Sequence, residues 1–270
     1  MYALTINSPA VENLIINFLR EGFQKAGLRR AVVGLSGGID SAVSCFLAAS
    51  ALGRENVLGV RMPYKTSSPE SLAHAQMVID QLKIDSLTVE ITPMVEPLIE
   101  KFPEMSAVRK GNLMARQRMI VLYDQSAATQ ALVVGTGNKT EIILGYTTLY
   151  GDSACALNPV GDLYKTQVRQ LAAHLGVPEV IIHKPPSADL WKGQTDEGEM
   201  GITYEEVDKL LFMLMEEGKT VEDCLKSGYS TDFIKAVFAR AKANRFKRSL
   251  PPIAQVGGRS ITEAVFDQVI

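Results

Sequence analysis

The chain has 270 residues, 46% of them hydrophobic, with 28 basic against 30 acidic side chains and a formal net charge of −2. So weak a field excludes the basic stripe of a nucleic-acid binder, and the length suits one α/β unit that buries roughly three quarters of its unfolded surface. No apolar run reaches the ~20 residues of a membrane span, the first residues lack a signal-peptide pattern, and Cys45, Cys155 and Cys224 lie too far apart for a metal or disulfide framework, so a reduced cytoplasmic protein is expected.

Ser8 and Pro9 read as an N-cap and a first-turn proline, and a helix follows to about Gly27. Residues 31–35 form a short apolar strand that runs into Ser36, Gly37 and Gly38. A helix covers 40–52 and stops at Gly53; a second strand covers 57–62, a helix 70–82 and a third strand 86–91. A long helix spans 111–128, and a fourth strand at 131–134 ends in Gly135, Thr136 and Gly137. A helix at 165–175 stops at Gly176, and residues 184–203, rich in Pro, Gly and Asp and holding Trp191, read as a loop. Helices at 204–217, 220–226 and 231–244 make a C-terminal cap, and 247–270 reads as extended.

Strands that alternate with helices in this way make a parallel sheet covered on both faces. The strands are apolar throughout, as doubly buried parallel strands are. The expected fold is therefore α/β, a doubly wound parallel sheet with a helical C-terminal cap. Ligands in such sheets bind beyond the carboxyl ends of the strands, where 36–38 and 135–137 both lie.

Gly34-Leu35-Ser36-Gly37-Gly38-Ile39-Asp40-Ser41 follows an apolar strand and opens a helix. Glycines let a backbone approach an oxyanion and turn its N–H groups inward, and the helix N-terminus adds partial positive charge. Ser36 and Ser41 supply hydroxyls. A Walker loop carries a lysine here, whereas this loop carries Asp40. A carboxylate beside phosphates repels them unless a cation intervenes, so Asp40 implies Mg²⁺. Gly218-Lys219-Thr220 mimics the end of a Walker loop, but Met213 stands where the first glycine belongs; the triplet reads as one helix ending and the next beginning. Asn138-Lys139-Thr140 matches a glycosylation sequon, which carries no meaning without secretion.

The Ser36–Ser41 loop resembles the pyrophosphate loop of the N-type ATP pyrophosphatases, which transfer AMP from ATP to a carboxyl or carbonyl oxygen. Further segments resemble the NAD synthetases among them: Gly135 to Glu141, Leu144 to Tyr146, Tyr150 to Asp152, Asp162 to Thr166, Asn112 to Arg118 and Pro185 to Trp191. The resemblance runs from about residue 10 to 250. It implies an adenine nucleotide alpha hydrolase-like fold in a single domain over 1–270, with a nucleotide-binding core at 1–180 and the cap at 204–245. It also implies ATP-dependent amidation of deamido-NAD through an adenylate, with AMP and pyrophosphate released and a homodimer as the working form.

Residue by residue, the resemblance assigns ATP to the loop Gly34–Ser41 and to Arg61, Thr136, Lys165 and Ser187. Mg²⁺ falls to Asp40 and Glu141, and deamido-NAD to Arg116, Asp152 and Lys247, with Asp152 also holding or deprotonating ammonium. Asp40, Lys165 and Asp152 form the expected catalytic set. Lys165 also stands out by itself: a cation opening a helix is disfavoured by the dipole and so points to an anionic partner. No segment matches a glutaminase domain, so free ammonia or a separate glutaminase subunit is the nitrogen source. The stretches 184–203 and 147–157 are candidates to close over the site.

Three positions depart from the pattern. Stand-alone ammonia-using relatives usually carry Lys and Asp at Leu149 and Ala156, and often His at Phe246. Competing readings are a tRNA-modifying pyrophosphatase, which would add a basic patch or a persulfide cysteine, and a nucleotide sensor without catalysis.

Overall fold

The computed structural model describes residues 4–187, 196–254 and 256. Four strands, β1 (Arg30–Gly34), β2 (Val57–Arg61), β3 (Asp85–Thr88) and β4 (Ala131–Val134), form one parallel sheet in the order β3-β2-β1-β4. The order reverses direction between β1 and β4, which is where such sheets open a crevice. Gly34 and Gly135 both lie at that opening.

Side chains of β1 alternate between two apolar layers. Ala31 and Val33 pack with α1 (Ser8–Lys25), α2 (Ile39–Leu52), α3 (Pro69–Leu82) and α7 (Lys165–Leu175). Val32 packs on the other face with Val95 of α4 (Thr92–Lys101) and Met114 and Val121 of α5 (Ala107–Thr129). The two-residue period of a strand thus feeds two helix layers, the doubly wound arrangement. Helix α1 starts where Asn7 Oδ1 accepts the Ala10 N–H at 3.2 Å, and it buries Ile15, Ile16, Leu19 and Phe23 along one stripe. No helix among the described residues is long and apolar enough to cross a membrane.

Beyond the sheet, α6 (Lys139–Leu144) follows β4, and short α8 (Glu179–Ile182) and α9 (Asp196–Met200) precede α10 (Tyr204–Met215), α11 (Val221–Lys226) and α12 (Thr231–Ala243). These last three bury Val207, Leu210, Leu211, Cys224, Ile234 and Val237 against Leu144 and Tyr164 in a third apolar cluster. Thr220 N-caps α11 and accepts the Asp223 N–H, so Gly218-Lys219-Thr220 is a helix boundary, as its spacing indicates.

The structure corrects several boundaries. Helix α4 is absent from the sequence expectation because Pro93 and Pro97 break its pattern and it buries Val95 alone. The strand expected at 86–91 ends as β3 at Thr88. Val89 and Ile91 still donate to Arg61 and Pro63 at 2.9 Å, but Pro63 has no N–H to return the bond and the ladder stops. Helix α5 starts at Ala107, four residues earlier than expected, because Ser106 caps it through the Arg109 N–H. The loop expected at 184–203 holds α9, and its Trp191 lies outside the described residues. A 3-10 turn at Arg245–Arg248 takes in the first two residues of the tail expected to be extended, Lys247 and Arg248.

Candidate active site

A cavity of about 500 Å³ opens at the carboxyl ends of β1 and β4. Its phosphate end is the turn from β1 into α2. Ser41 Oγ donates to Gly38 O at 2.9 Å and lies 3.1 Å from Ser36 Oγ, which accepts the Gly38 N–H at 3.2 Å. The hydroxyls therefore lace the turn shut and fix its amides. Gly37 has φ +77°, and a Cβ there would stand 2.0 Å from the Ser71 carbonyl oxygen of α3. Only glycine gives both that backbone and that approach. Gly37 is behind the wall, while Gly34, Leu35, Ser36, Gly38, Ile39, Asp40 and Ser41 line the cavity.

Lys165, the first residue of α7, is 3% exposed and pairs with Asp40. Its ammonium also lies 3.6 Å from Glu141 Oε1 and 5.2 Å from the centre of the Tyr204 ring. The anionic partner implied by a lysine at a helix N-terminus is thus a pair of carboxylates. Burial alone would lower the Lys165 pKa; Asp40 and Glu141 more than offset it and hold the ammonium above its ordinary value. Burial, with Asp40 beside it, pushes the Glu141 carboxyl up to about 8 against the pull of Lys165.

Asn138 shapes the same centre. It N-caps α6: its Oδ1 accepts the Glu141 N–H at 3.0 Å, and Glu141 Oε2 accepts the Asn138 N–H at 3.2 Å, closing a capping box. Its Nδ2 donates to Asp40 Oδ1 at 3.1 Å. Glu141 Oε1 is left to face Lys165 and the Tyr204 hydroxyl, 3.4 Å away. Tyr204 and Tyr146 both donate to Asp196, at 3.3 and 3.2 Å.

At the other end of the cavity, Asp152 Oδ1 accepts the Thr148 N–H at 2.8 Å, and Thr148 Oγ1 reaches Asn112 Oδ1 at 2.7 Å. Crowding by protein raises the Asp152 pKa, opposed by that hydrogen bond and by Lys247. Lys247 donates to the carbonyls of Gly145 and Thr147 at 2.7 and 2.8 Å, so its ammonium caps the end of α6 while its chain lines the cavity. Residues 147–157 are pinned: Ser153 Oγ donates to Thr148 O at 3.0 Å and the Ala156 N–H to Val133 O at 2.9 Å.

Thr136 and Ser187 line the cavity. Arg61 and Arg116 do not. The Arg61 guanidinium bonds Gln76 of α3, and Arg116 donates to Leu149 O at 3.2 Å from a separate small cleft between α4 and α5. Arg118 faces the cavity instead and donates to Met62 O at 3.1 Å. Leu149 and Ala156 also lie outside the cavity lining.

The donor set at the phosphate end fits a magnesium ion. Magnesium takes one or two carboxylates and completes its shell with phosphate oxygens and water. Asp40 and Glu141 supply two carboxylates at the mouth of the phosphate turn, with the Lys165 ammonium lying between them. Among the described residues no cluster of three or more acidic, His or Cys side chains forms a closed metal cage.

Sequence reasoning left out Asn138, Arg118, Tyr146, Asp196 and Tyr204 as site residues. Asn138 was hidden in its sequon, though an Asn with Glu three residues on is a capping-box signal. Asp196 and Tyr204 carry no local signal, because they reach the centre from α9 and α10, far along the chain from Glu141.

The NAD synthase family profile matches residues 11–251. An NH(3)-dependent NAD(+) synthetase from Fusobacterium nucleatum is 52% identical over 95% of this chain and 99% of its own length. One from Trichlorobacter lovleyi is 51% identical over 97% and 96%. Among solved structures, an NMN synthetase from Francisella tularensis superposes with a TM-score of 0.83 at 33% identity, covering 93% of this chain and 99% of that one. An NH3-dependent NAD synthetase from Campylobacter jejuni in complex with nitrate gives 0.79 at 32% identity, over 93% and 100%. The chain has the adenine nucleotide alpha hydrolase-like α/β fold of these neighbours, and it belongs to the NAD synthase family.

Proposed function

We propose that this chain amidates deamido-NAD to NAD with ATP and ammonia, through an adenylate, releasing AMP and pyrophosphate. The observation that carries the reading is the buried Lys165 ammonium held between Asp40 and Glu141 at the mouth of an amide-lined turn. Relatives at about half identity over nearly the whole chain are named NH(3)-dependent NAD(+) synthetases, which supports ammonia and NAD as nitrogen donor and product.

The turn Gly34–Ser41 cradles the phosphates with its N–H groups and the Ser36 and Ser41 hydroxyls. Asp40 and Glu141 would hold a magnesium ion, which would supply the positive charge that offsets their repulsion of the phosphates. Lys165 faces the departing pyrophosphate, where a fixed cation in a dry site stabilises developing charge. Thr136 and Ser187 contact the nucleotide. Arg118, which lines the cavity, takes the place expected of Arg116 as a contact to the deamido-NAD carboxylate or phosphates. Asp152, with its pKa raised, holds ammonium and accepts its proton as nitrogen attacks the adenylate. Lys247 and the bonds around Thr148 keep Asp152 in place.

Residues 1–180 act as the nucleotide-binding core and 204–245 as a cap within a single functional unit. The working form is a homodimer, supported by the exposed apolar Met94 and Leu98 on α4, Phe102 just after it, and Ile120 and Tyr123 on α5. Nitrogen comes from free ammonia or from a separate glutaminase subunit.

A turnover assay with ATP, Mg²⁺, deamido-NAD and either ammonium or ammonia-free glutamine tests the reading. It should yield NAD, AMP and pyrophosphate with ammonium, fail without Mg²⁺, and be far slower with glutamine. ADP and phosphate as products would overturn it.

A further inference from the structure

Asp208 lies on α10 in the cap and is 0% exposed. Its helix neighbours Val207, Leu210 and Leu211 belong to the apolar cluster, so nothing in the sequence of α10 accounts for a carboxylate there. Burying one is unfavourable unless each lone pair finds a donor. Asp208 Oδ1 accepts the Thr140 hydroxyl at 2.5 Å, and Oδ2 accepts the Thr166 N–H at 2.8 Å. Thr140 Oγ1 in turn accepts the Lys165 N–H at 3.2 Å.

These bonds run between two helix N-termini. Thr140 sits in the first turn of α6, next to Glu141, and Thr166 in the first turn of α7, next to Lys165. First-turn N–H groups have no partner within their helix, and a carboxylate is favoured there by the dipole. The direction of every bond is fixed. The Lys165 N–H can only donate, so the Thr140 hydroxyl, already accepting it, points its own hydrogen at Asp208. The Thr166 N–H can only donate to the second oxygen. A carboxylate, with acceptors and no donor, is the group that completes this chain.

We propose that Asp208 is a positioning residue: from the cap it clamps the N-termini of α6 and α7 so that Glu141 and Lys165 meet Asp40 at the phosphate turn. This rests on the roles proposed above for Glu141 and Lys165. The cap is then part of the catalytic geometry, because the carboxylate that sets the spacing of the two helices belongs to it. An amide at this position would present a donor to one of two groups that need an acceptor, and a misplacement of about 1 Å at Lys165 costs on the order of a hundredfold in rate.

The test measures kcat and KM for ATP and deamido-NAD, with the thermal midpoint, in Asp208→Asn, Thr140→Val and Thr140→Ser. Asp208→Asn and Thr140→Val should each lower kcat by on the order of tenfold to a hundredfold, with KM for ATP shifted by no more than about twofold. Thr140→Ser, which keeps the hydroxyl, should recover most of what Thr140→Val loses. Asp208→Asn with Thr140→Val should lose less than the product of the two single effects, since both break one chain. A fall in thermal midpoint with kcat per folded molecule at the wild-type level would make Asp208 a packing residue and overturn the proposal. Should Asp208→Asn not fold, the Thr140 pair carries the same comparison, and equal kcat in Thr140→Val and wild type overturns it. A wild type that forms no NAD, or a Lys165→Ala variant with full kcat, would instead sink the underlying assignment.

Discussion

At the phosphate end of the cavity, Ser36, Gly38 and Ser41 come from one strand-to-helix turn and bond within it, while Asp40 of the same turn reaches out to Asn138 and Lys165. The opposite end is assembled from distant segments: Asn112 from α5, Thr148 and Asp152 from the loop after α6, and Lys247 from beyond α12. The first is a backbone device, set by glycine geometry and two serine hydroxyls. The second exists only because the cap and α5 pack where they do. A site made by one turn survives or fails as a unit, whereas a site made by several segments can change piece by piece. The three departures from the family pattern, Leu149, Ala156 and Phe246, all lie in the assembled region or beside it.

The largest effect should come from the junction of the two ends. Lys165→Ala removes the cation shared by Asp40 and Glu141 and should lower kcat by about 10²–10³-fold, with a smaller change in KM for deamido-NAD; steady-state kinetics on both substrates read the split. A loss confined to KM for deamido-NAD would move Lys165 to the other end and break the comparison.

A mid-sized effect is expected in the pH dependence of stability. The Glu141 carboxyl is raised from its ordinary 4.5 to about 8 in the folded, ligand-free protein. A raised carboxyl adds stability that is complete below its unfolded pKa and is lost as pH rises to the folded value. Between about pH 4.5 and 8 the thermal midpoint should therefore fall by several degrees, and Glu141→Gln should flatten that slope. Calorimetry across the window measures both; an unaltered slope in Glu141→Gln would place the titrating group elsewhere.

The smallest effect should follow Leu149→Lys. Its carbonyl, not its side chain, is what the structure uses, through the bond from Arg116, and it lies outside the cavity lining. kcat/KM for deamido-NAD should change by less than about twofold, because the substituted side chain does not line the cavity. A gain of tenfold would show that the assembled end still awaits a lysine there.

The sequence by itself determined the β-α alternation, the glycine turn after β1, the carboxylate in that turn where a Walker loop has lysine, and the mismatch of Lys165 with its helix dipole. Each of these is a local property, readable from spacing and residue type. It did not determine which of Arg116 and Arg118 faces the cavity, since residues two apart on a helix point about 200° from one another and both phases leave an arginine on view. Nor could spacing show that Arg61 turns to Gln76 and away from the crevice, or that Pro-broken residues 92–101 still form α4 once Val95 has a layer to enter. Asn138, Asp196 and Tyr204 come to the Asp40, Glu141 and Lys165 centre, and Asp208 to Thr140 and Thr166 beside it, only in three dimensions, from segments far apart in the chain. Their placement is a matter of tertiary packing, because a buried polar group is held by partners whose distance along the chain leaves no periodicity to read.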